Sequence, residues 1–319
     1  MKTNNITYNF LLLIFILGFI SCKNENKQTV TNKDSFFKTS LAQWSIHKSI
    51  REDGLSPYEF AKIAHELGFE GLEYVNALYS DVTNSEDKAS AMEEFITRNN
   101  DLAAKYNLKN VLIMIDGEGD LASSNPEERM IAVENHKLWI DAASKMNCSA
   151  IRINIKKEKE IENWIKYSVE SFGALGEYAK PLNINVIVEN HGGLSSNASL
   201  LMKVINQVNL ENCGTLPDFG NFCMSEGYGS LKENNCNDLY DPYLGISEML
   251  PKAFGLSAKS YAFDSNGDET SLDYYRLLSI AKDAGYNGFI GVEYEGNILS
   301  EKDGIIATKK LLEKAAKML

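Results

Sequence analysis

Ile184-Asn185-Val186-Ile187-Val188-Glu189-Asn190 decides how the chain is read. It is too short for a helix, rich in β-branched residues, and ends in a charge. Side chains alternate along a strand, so Ile184, Val186 and Val188 share one face while Glu189 points to the other. Gly288–Tyr294 repeats the pattern, with Ile290, Val292 and Tyr294 on one face and Gly291 and Glu293 on the other. A strand that hides an apolar face and aims a terminal carboxylate the opposite way fits a parallel sheet covered by helices.

Further runs of this kind occur along the chain. Leu41–Ile46, Gly71–Val75, Val111–Ile115, Ala150–Ile155, Gly214–Asp218 and Phe254–Tyr261 complete a set of eight. Helical patterns fall between them, among them Pro57–Leu67, Met92–Tyr106, Glu127–Met146, Ile161–Ala179 and Ser271–Ala284. Eight alternating units close into a single (β/α)8 barrel of the α/β class, a TIM barrel, over residues 36–319. A doubly wound open sheet would carry a glycine-rich phosphate turn after its first strand, and none follows Leu41–Ile46.

The same parity fills the lumen. Ile151, Ile153 and Ile155 pack outward and leave Arg152 and Asn154 inside; Leu256 and Ala258 do so for Ser257 and Lys259. Gln43, Ser45, Glu73, Asp116 and Asp218 fall on the lumen side by the same count. Catalytic groups of such barrels sit at the C-terminal strand ends. Converging carboxylates repel one another unless protonated or neutralised. A divalent cation answers that repulsion; a structural ring counter-charged by Arg152 and Lys259 is the alternative.

The N-terminal segment reads differently. Lys2 precedes the apolar run Phe10–Ile20, which is too short to span a bilayer and suits a signal peptide over residues 1–21. Phe19-Ile20-Ser21-Cys22 resembles a bacterial lipobox, which makes Cys22 a lipidation site. Residues 22–35 are polar and form a flexible tether. The expected location is the cell envelope, periplasmic or surface-exposed, with the lipid anchor as the sole membrane contact. A net charge of −12 with no basic stripe excludes nucleic acid as a partner. No CxxC pair supports a zinc knuckle. Cys148 and Cys213 beside strands read as buried thiols. Cys223 and Cys236 share a loop that an oxidising compartment would allow to be bridged.

Three segments carry a resemblance. Val186-Ile187-Val188-Glu189-Asn190-His191-Gly192, Leu216-Pro217-Asp218-Phe219-Gly220-Asn221 and Gly291-Val292-Glu293-Tyr294-Glu295-Gly296 resemble the xylose isomerase-like barrel family. Its members include sugar isomerases, ketose 3-epimerases, dehydratases and an endonuclease branch. The resemblance implies metal ligation by Glu189, Asp218 and Glu293, with Ser257 where the family usually places a fourth, histidine ligand. Oxygen donors suit Mn²⁺, Mg²⁺ or Co²⁺, with Zn²⁺ a further candidate. It also implies that Glu189 and Glu293 take and return a proton beside a carbonyl, with Lys259 steadying the anion. His191, Asn154, Arg152, Glu73, His47 and Ser257 are expected to bind substrate, whereas His65 and His136 read as ordinary helix residues.

The expected activity is isomerisation or epimerisation of an unphosphorylated sugar or keto-sugar, since free sugar phosphates are scarce outside the inner membrane. A lyase or dehydratase acting by β-elimination on a keto-sugar or 3-keto-glycoside begins with the same proton abstraction. A barrel that binds sugar without turnover is the third possibility. The endonuclease branch needs many histidines, and this chain has four.

Overall fold

In the computed structural model, the structure describes residues 35–156, 158–225, 227–232 and 236–319. The leader, Cys22 and nearly all of the tether lie outside the described residues. Eight strands were found: β1 Lys38–Ala42, β2 Gly71–Val75, β3 Lys109–Met114, β4 Ala150–Ile153, β5 Asn185–Glu189, β6 Cys213–Leu216, β7 Leu256–Ser260 and β8 Phe289–Tyr294. They form one parallel sheet in the order β6-β5-β4-β3-β2-β1-β8-β7, so β8 returns to β1 and curls the sheet into the TIM barrel. The two remaining edges meet through isolated parallel bridges, Thr215 to Ala253 and Asp218 to Ser257. The seam between β6 and β7 therefore closes beside two residues of the expected site.

Local sequence dictates the turns. Asn107, Asn147, Asn183 and Asn209 all adopt positive φ, and each lies just before one of β3 to β6. Asparagine tolerates this left-handed conformation better than other residues with a Cβ, and it ends the incoming helix. Entry to the next helix uses side-chain caps. Asn125 accepts from Glu127 N with Pro126 in the first turn, and Asn197 accepts from Leu200 N. Apolar strand faces then pack under the helices: Ile151, Val186, Val188, Leu256, Ile290 and Val292 are all fully buried. Among the described residues, no helix is long and apolar enough to cross a membrane.

The first strand departs from expectation. It ends at Ala42, and Gln43–Ile46 is a 3-10 turn. Gln43 leaves the ladder because its amide serves the neighbouring strand: Val75 N donates to its Oε1 (3.1 Å), and its Nε2 donates to Tyr79 Oη (3.0 Å). Ser45 does the same toward β8, donating to Val292 O and accepting from Tyr294 N at 3.2 and 3.0 Å. Both are buried as staples between strand ends, not as lumen ligands.

Candidate active site

β5 ends in Glu189, β8 carries Glu293, and Asp218 lies two residues past β6. One carboxylate oxygen of each lies within 4.8 Å of the others, and all three side chains are buried. Each is held from behind. Glu189 accepts from Asn221 Nδ2 (3.0 Å), and Arg152 Nε stands 2.9 Å from its Oε2, an ion pair whose angle is off a hydrogen bond. Ser257 Oγ lies 2.5 Å from Asp218 Oδ2 and 3.0 Å from Glu293 Oε2. Lys259 Nζ stands 3.5 Å from Glu293, 3.9 Å from Asp218 and 3.1 Å from Glu295.

Charge balance decides what this cluster can hold. Burial pushes the Asp218 carboxyl well above the usual range, opposed chiefly by Lys259; burial also raises Glu293, again against Lys259. Burial disfavours the Lys259 ammonium too, yet Asp218, Glu293 and Glu295 outweigh that and hold it charged. The hydroxyl proton of Ser257 serves one carboxylate at a time. Three carboxylates thus crowd one point where Lys259 alone does not neutralise them, so a proton or a cation must, and the donors on offer are all carboxylate oxygens. That set fits a hard divalent cation, for which Glu189, Asp218 and Glu293 are the ligands the geometry offers.

A second chain of contacts runs along the wall. Asp116 accepts from Arg152 Nη1 (2.9 Å) and Asn154 Nδ2 (2.7 Å), and Arg152 lowers its carboxyl against the opposing effect of burial. Because Asn154 gives its amino group to Asp116, its Oδ1 faces His191 Nδ1 at 2.9 Å, and that nitrogen carries the proton. Burial, then Arg152, Lys156 and Lys259, hold the His191 ring well below the usual range, so it is neutral with Nε2 an acceptor.

The cleft above the carboxylates has a volume of about 690 Å³. Arg152, Asn154, Glu189, His191, Lys259 and Glu293 line it. Three expected contacts are not on its wall. Glu73 is buried beneath it, taking a 2.5 Å bond from Ser40, while Ser257 is spent on Asp218 and Glu293. His47 stacks on Trp44 with centroids 4.4 Å apart, and its Nδ1 meets Trp44 O at 2.6 Å. His47 is thus a support for Trp44, which does line the cleft.

Several lining residues escaped the sequence reading: Trp44, Arg51, Glu118, Lys156, Tyr228 and Glu295. His136 also lines the cleft, from a buried position with Nδ1 bonded to Ala132 O at 2.7 Å. It is a wall residue, which its mid-helix position did not disclose. Two cations brace the rim aromatics, Arg51 at 4.7 Å from Trp44 and Lys156 at 4.3 Å from Tyr228. Contacts of this kind stabilise by about 0.5–1 kcal/mol at exposed sites. Cys223 and Cys236 are disulfide-bonded in the loop that carries Tyr228, and Cys148 and Cys213 are buried and free. Closing a loop of this length stabilises by roughly 3 kcal/mol.

A profile of the xylose isomerase-like TIM barrel matches residues 61–319. The chain belongs to the xylose isomerase-like TIM barrel family. A D-tagatose 3-epimerase-like protein superposes with a TM-score of 0.66 at 15% identity, over 88% of this chain and 98% of that one. The structure of the IOLI protein with a binding zinc atom gives 0.62 at 14%, over 88% and 99%. These likenesses show the shared barrel. In sequence, the C-glycoside deglycosidase alpha subunit of Arthrobacter globiformis is 35% identical over 66 residues, which is 20% of this chain and 19% of that protein. The xylose isomerase-like TIM barrel family is thus the setting for this site.

Proposed function

We propose that this protein is a metal-dependent isomerase or epimerase of an unphosphorylated sugar or keto-sugar, acting by proton abstraction next to a carbonyl. The observation that carries the proposal is the meeting of Glu189, Asp218 and Glu293 within 4.8 Å at the barrel mouth, with Lys259 beside them. A divalent ion held by these three would polarise a substrate oxygen and stabilise negative charge next to the reacting carbon. Glu189, held by Arg152 and Asn221 at the end of its strand, is placed to receive the proton. Glu293, facing Ser257 and Lys259, returns one from another strand. Lys259 places a fixed positive charge where the substrate anion develops. His191, Asn154 and Arg152 line the wall and would orient hydroxyls.

The likeness to a C-glycoside deglycosidase subunit supports a second reading, a lyase on a keto-sugar or 3-keto-glycoside that shares this first step. Incubating the Mn²⁺-loaded protein with ketoses and 3-keto-glycosides, followed by proton NMR, separates the two. An epimer or aldose–ketose pair supports the first reading, and an unsaturated product with a released fragment supports the second. Neither product across the panel refutes both.

A further inference from the structure

We infer that the rim of the cleft is a second subsite that holds a hydroxylated ring attached to the reacting sugar, so that the substrate has at least two rings. The inference rests on the carbohydrate reading above and concerns a different part of the site. Size is the first argument. A hexose has about twelve heavy atoms, and even at the ~30 Å³ each would claim at the density of liquid water they fill roughly half of the cleft. The second argument is depth. Glu189, Lys259 and Glu293 are buried at the floor, whereas Tyr228 is 68% exposed, Glu118 is partly exposed on a loop, and Trp44 is partly exposed on the 3-10 turn after β1. One sugar ring on the floor carboxylates leaves this outer half vacant.

Chemistry names the second occupant. Trp44 and Tyr228 put aromatic surface on the cleft wall, against which the C–H groups of a sugar can lose their water. Both are held in place, Trp44 by His47 and Arg51, Tyr228 by Lys156 and a 5.5 Å ring contact with His191. Beside them stand acceptors. Trp139 Nε1 (2.8 Å) and Asn76 Nδ2 (3.4 Å) both donate to Glu118 Oε1, so the side chain is fixed while Oε2 takes no donor from the described residues. His136 lines the same wall, and its Nδ1 on Ala132 O leaves Nε2 as the ring's acceptor. The loop bearing Glu118 is held tight, for a Cβ on Gly119 would lie 2.8 Å from Ala132 Cβ. A planar aryl group would use the aromatics and offer Glu118 Oε2 no donor, whereas a sugar ring supplies hydroxyl donors to it. The rim therefore selects a second sugar over an aromatic aglycone.

Calorimetric titration of the Mn²⁺-loaded full chain tests this without needing turnover. The probes are glucose, galactose and xylose, the disaccharides cellobiose, lactose and xylobiose, and phenyl β-glucoside. At least one disaccharide should bind about tenfold tighter than its monosaccharides and than the phenyl glycoside, the scale of one charge-assisted hydrogen bond. Tyr228→Ala and Glu118→Gln should each weaken that disaccharide about fivefold more than the monosaccharide. Tyr228 is exposed, so its loss does not threaten the fold. Monosaccharides that bind with no disaccharide advantage overturn the second subsite and leave the proposed chemistry standing. A phenyl glycoside as tight as the best disaccharide overturns the choice of a hydroxylated ring. Disaccharide binding that responds to both substitutions, with no proton abstraction in any sugar, keeps the subsite and sinks the chemistry. If no sugar of this panel binds at all, the second subsite falls, and the proposed chemistry is decided by the ketose and 3-keto-glycoside panel above.

Discussion

Replacing Gly291 by alanine strikes at the packing beneath the site. A Cβ built on Gly291 would lie 2.3 Å from Glu73 Oε2 and 2.6 Å from Oε1, well inside van der Waals contact. Glu73 has little freedom to yield, being 1% exposed with Oε1 tied to Ser40. Overpacking of this kind costs about 2–3 kcal/mol. With an unfolding entropy of ~2.1 cal/mol/K per residue over residues 35–319, that corresponds to a loss of roughly 3–5 °C in Tm. Because Glu293 lies two residues along the same strand, the shift should also weaken the metal site. Calorimetry and denaturant unfolding of Gly291→Ala, Glu73→Ala and the double variant form the cycle that isolates the clash. Removing the Glu73 carboxylate should recover about 1 kcal/mol or more of the Gly291→Ala loss. A Gly291→Ala variant within about 0.5 kcal/mol of the parent, or a loss undiminished in the Glu73→Ala background, would refute the packing argument.

Metal analysis after reconstitution should find about one divalent ion per chain, released by chelator, with Asp218→Asn weakening it tenfold or more; no ion after Mn²⁺, Co²⁺ and Zn²⁺ would mean the carboxylates are held by protons, Lys259 and Arg152. Burial raises the Glu73 carboxyl to about 8, so the folded chelator-treated protein keeps a proton that the unfolded chain gives up near 4.5. That stability is fully present below about 4.5 and is lost as pH rises through about 8, so Tm should fall across this window. The fall should be shallower in Glu73→Gln, and equal slopes for the two proteins would assign the effect elsewhere. Cys22→Ala should abolish partitioning into the detergent phase; unchanged partitioning and mass would remove the lipid-anchor proposal.

Much of the floor of the site is written in strand alternation. Glu189, Arg152, Lys259 and Glu293 alternate with β-branched or small apolar residues, and a period of two leaves one choice of face. Asp218 was reachable by the same count although it lies past its strand. The rim was not legible. Glu118 and Tyr228 project from loops, where no period relates sequence to direction, Arg51 ends the short helix His47–Arg51, and only folding brings them to one cleft. His47 and Ser257 are a different case, since neither lines the cleft. Each faces the expected region, but a nearer partner claims it: Trp44 stacks on the His47 ring, and two carboxylates share the Ser257 hydroxyl. Position along a strand gives direction, while local competition for hydrogen bonds decides whether a side chain reaches the cleft.

Hydrogen exchange in D₂O tests the central claim most directly, that Glu189 and Glu293 move a proton at carbon next to a carbonyl. With metal present and an active substrate, proton NMR should show deuterium entering that carbon, or loss of its hydrogen with a primary isotope effect. Product must be followed alongside, since an internal hydride shift leaves no exchange. Glu293→Gln should slow the exchange by about 10²-fold or more, the usual scale for losing a general acid or base. Sugars that bind tightly across a broad keto-sugar and keto-glycoside panel, with neither exchange nor product, would contradict the account and leave a barrel that only binds.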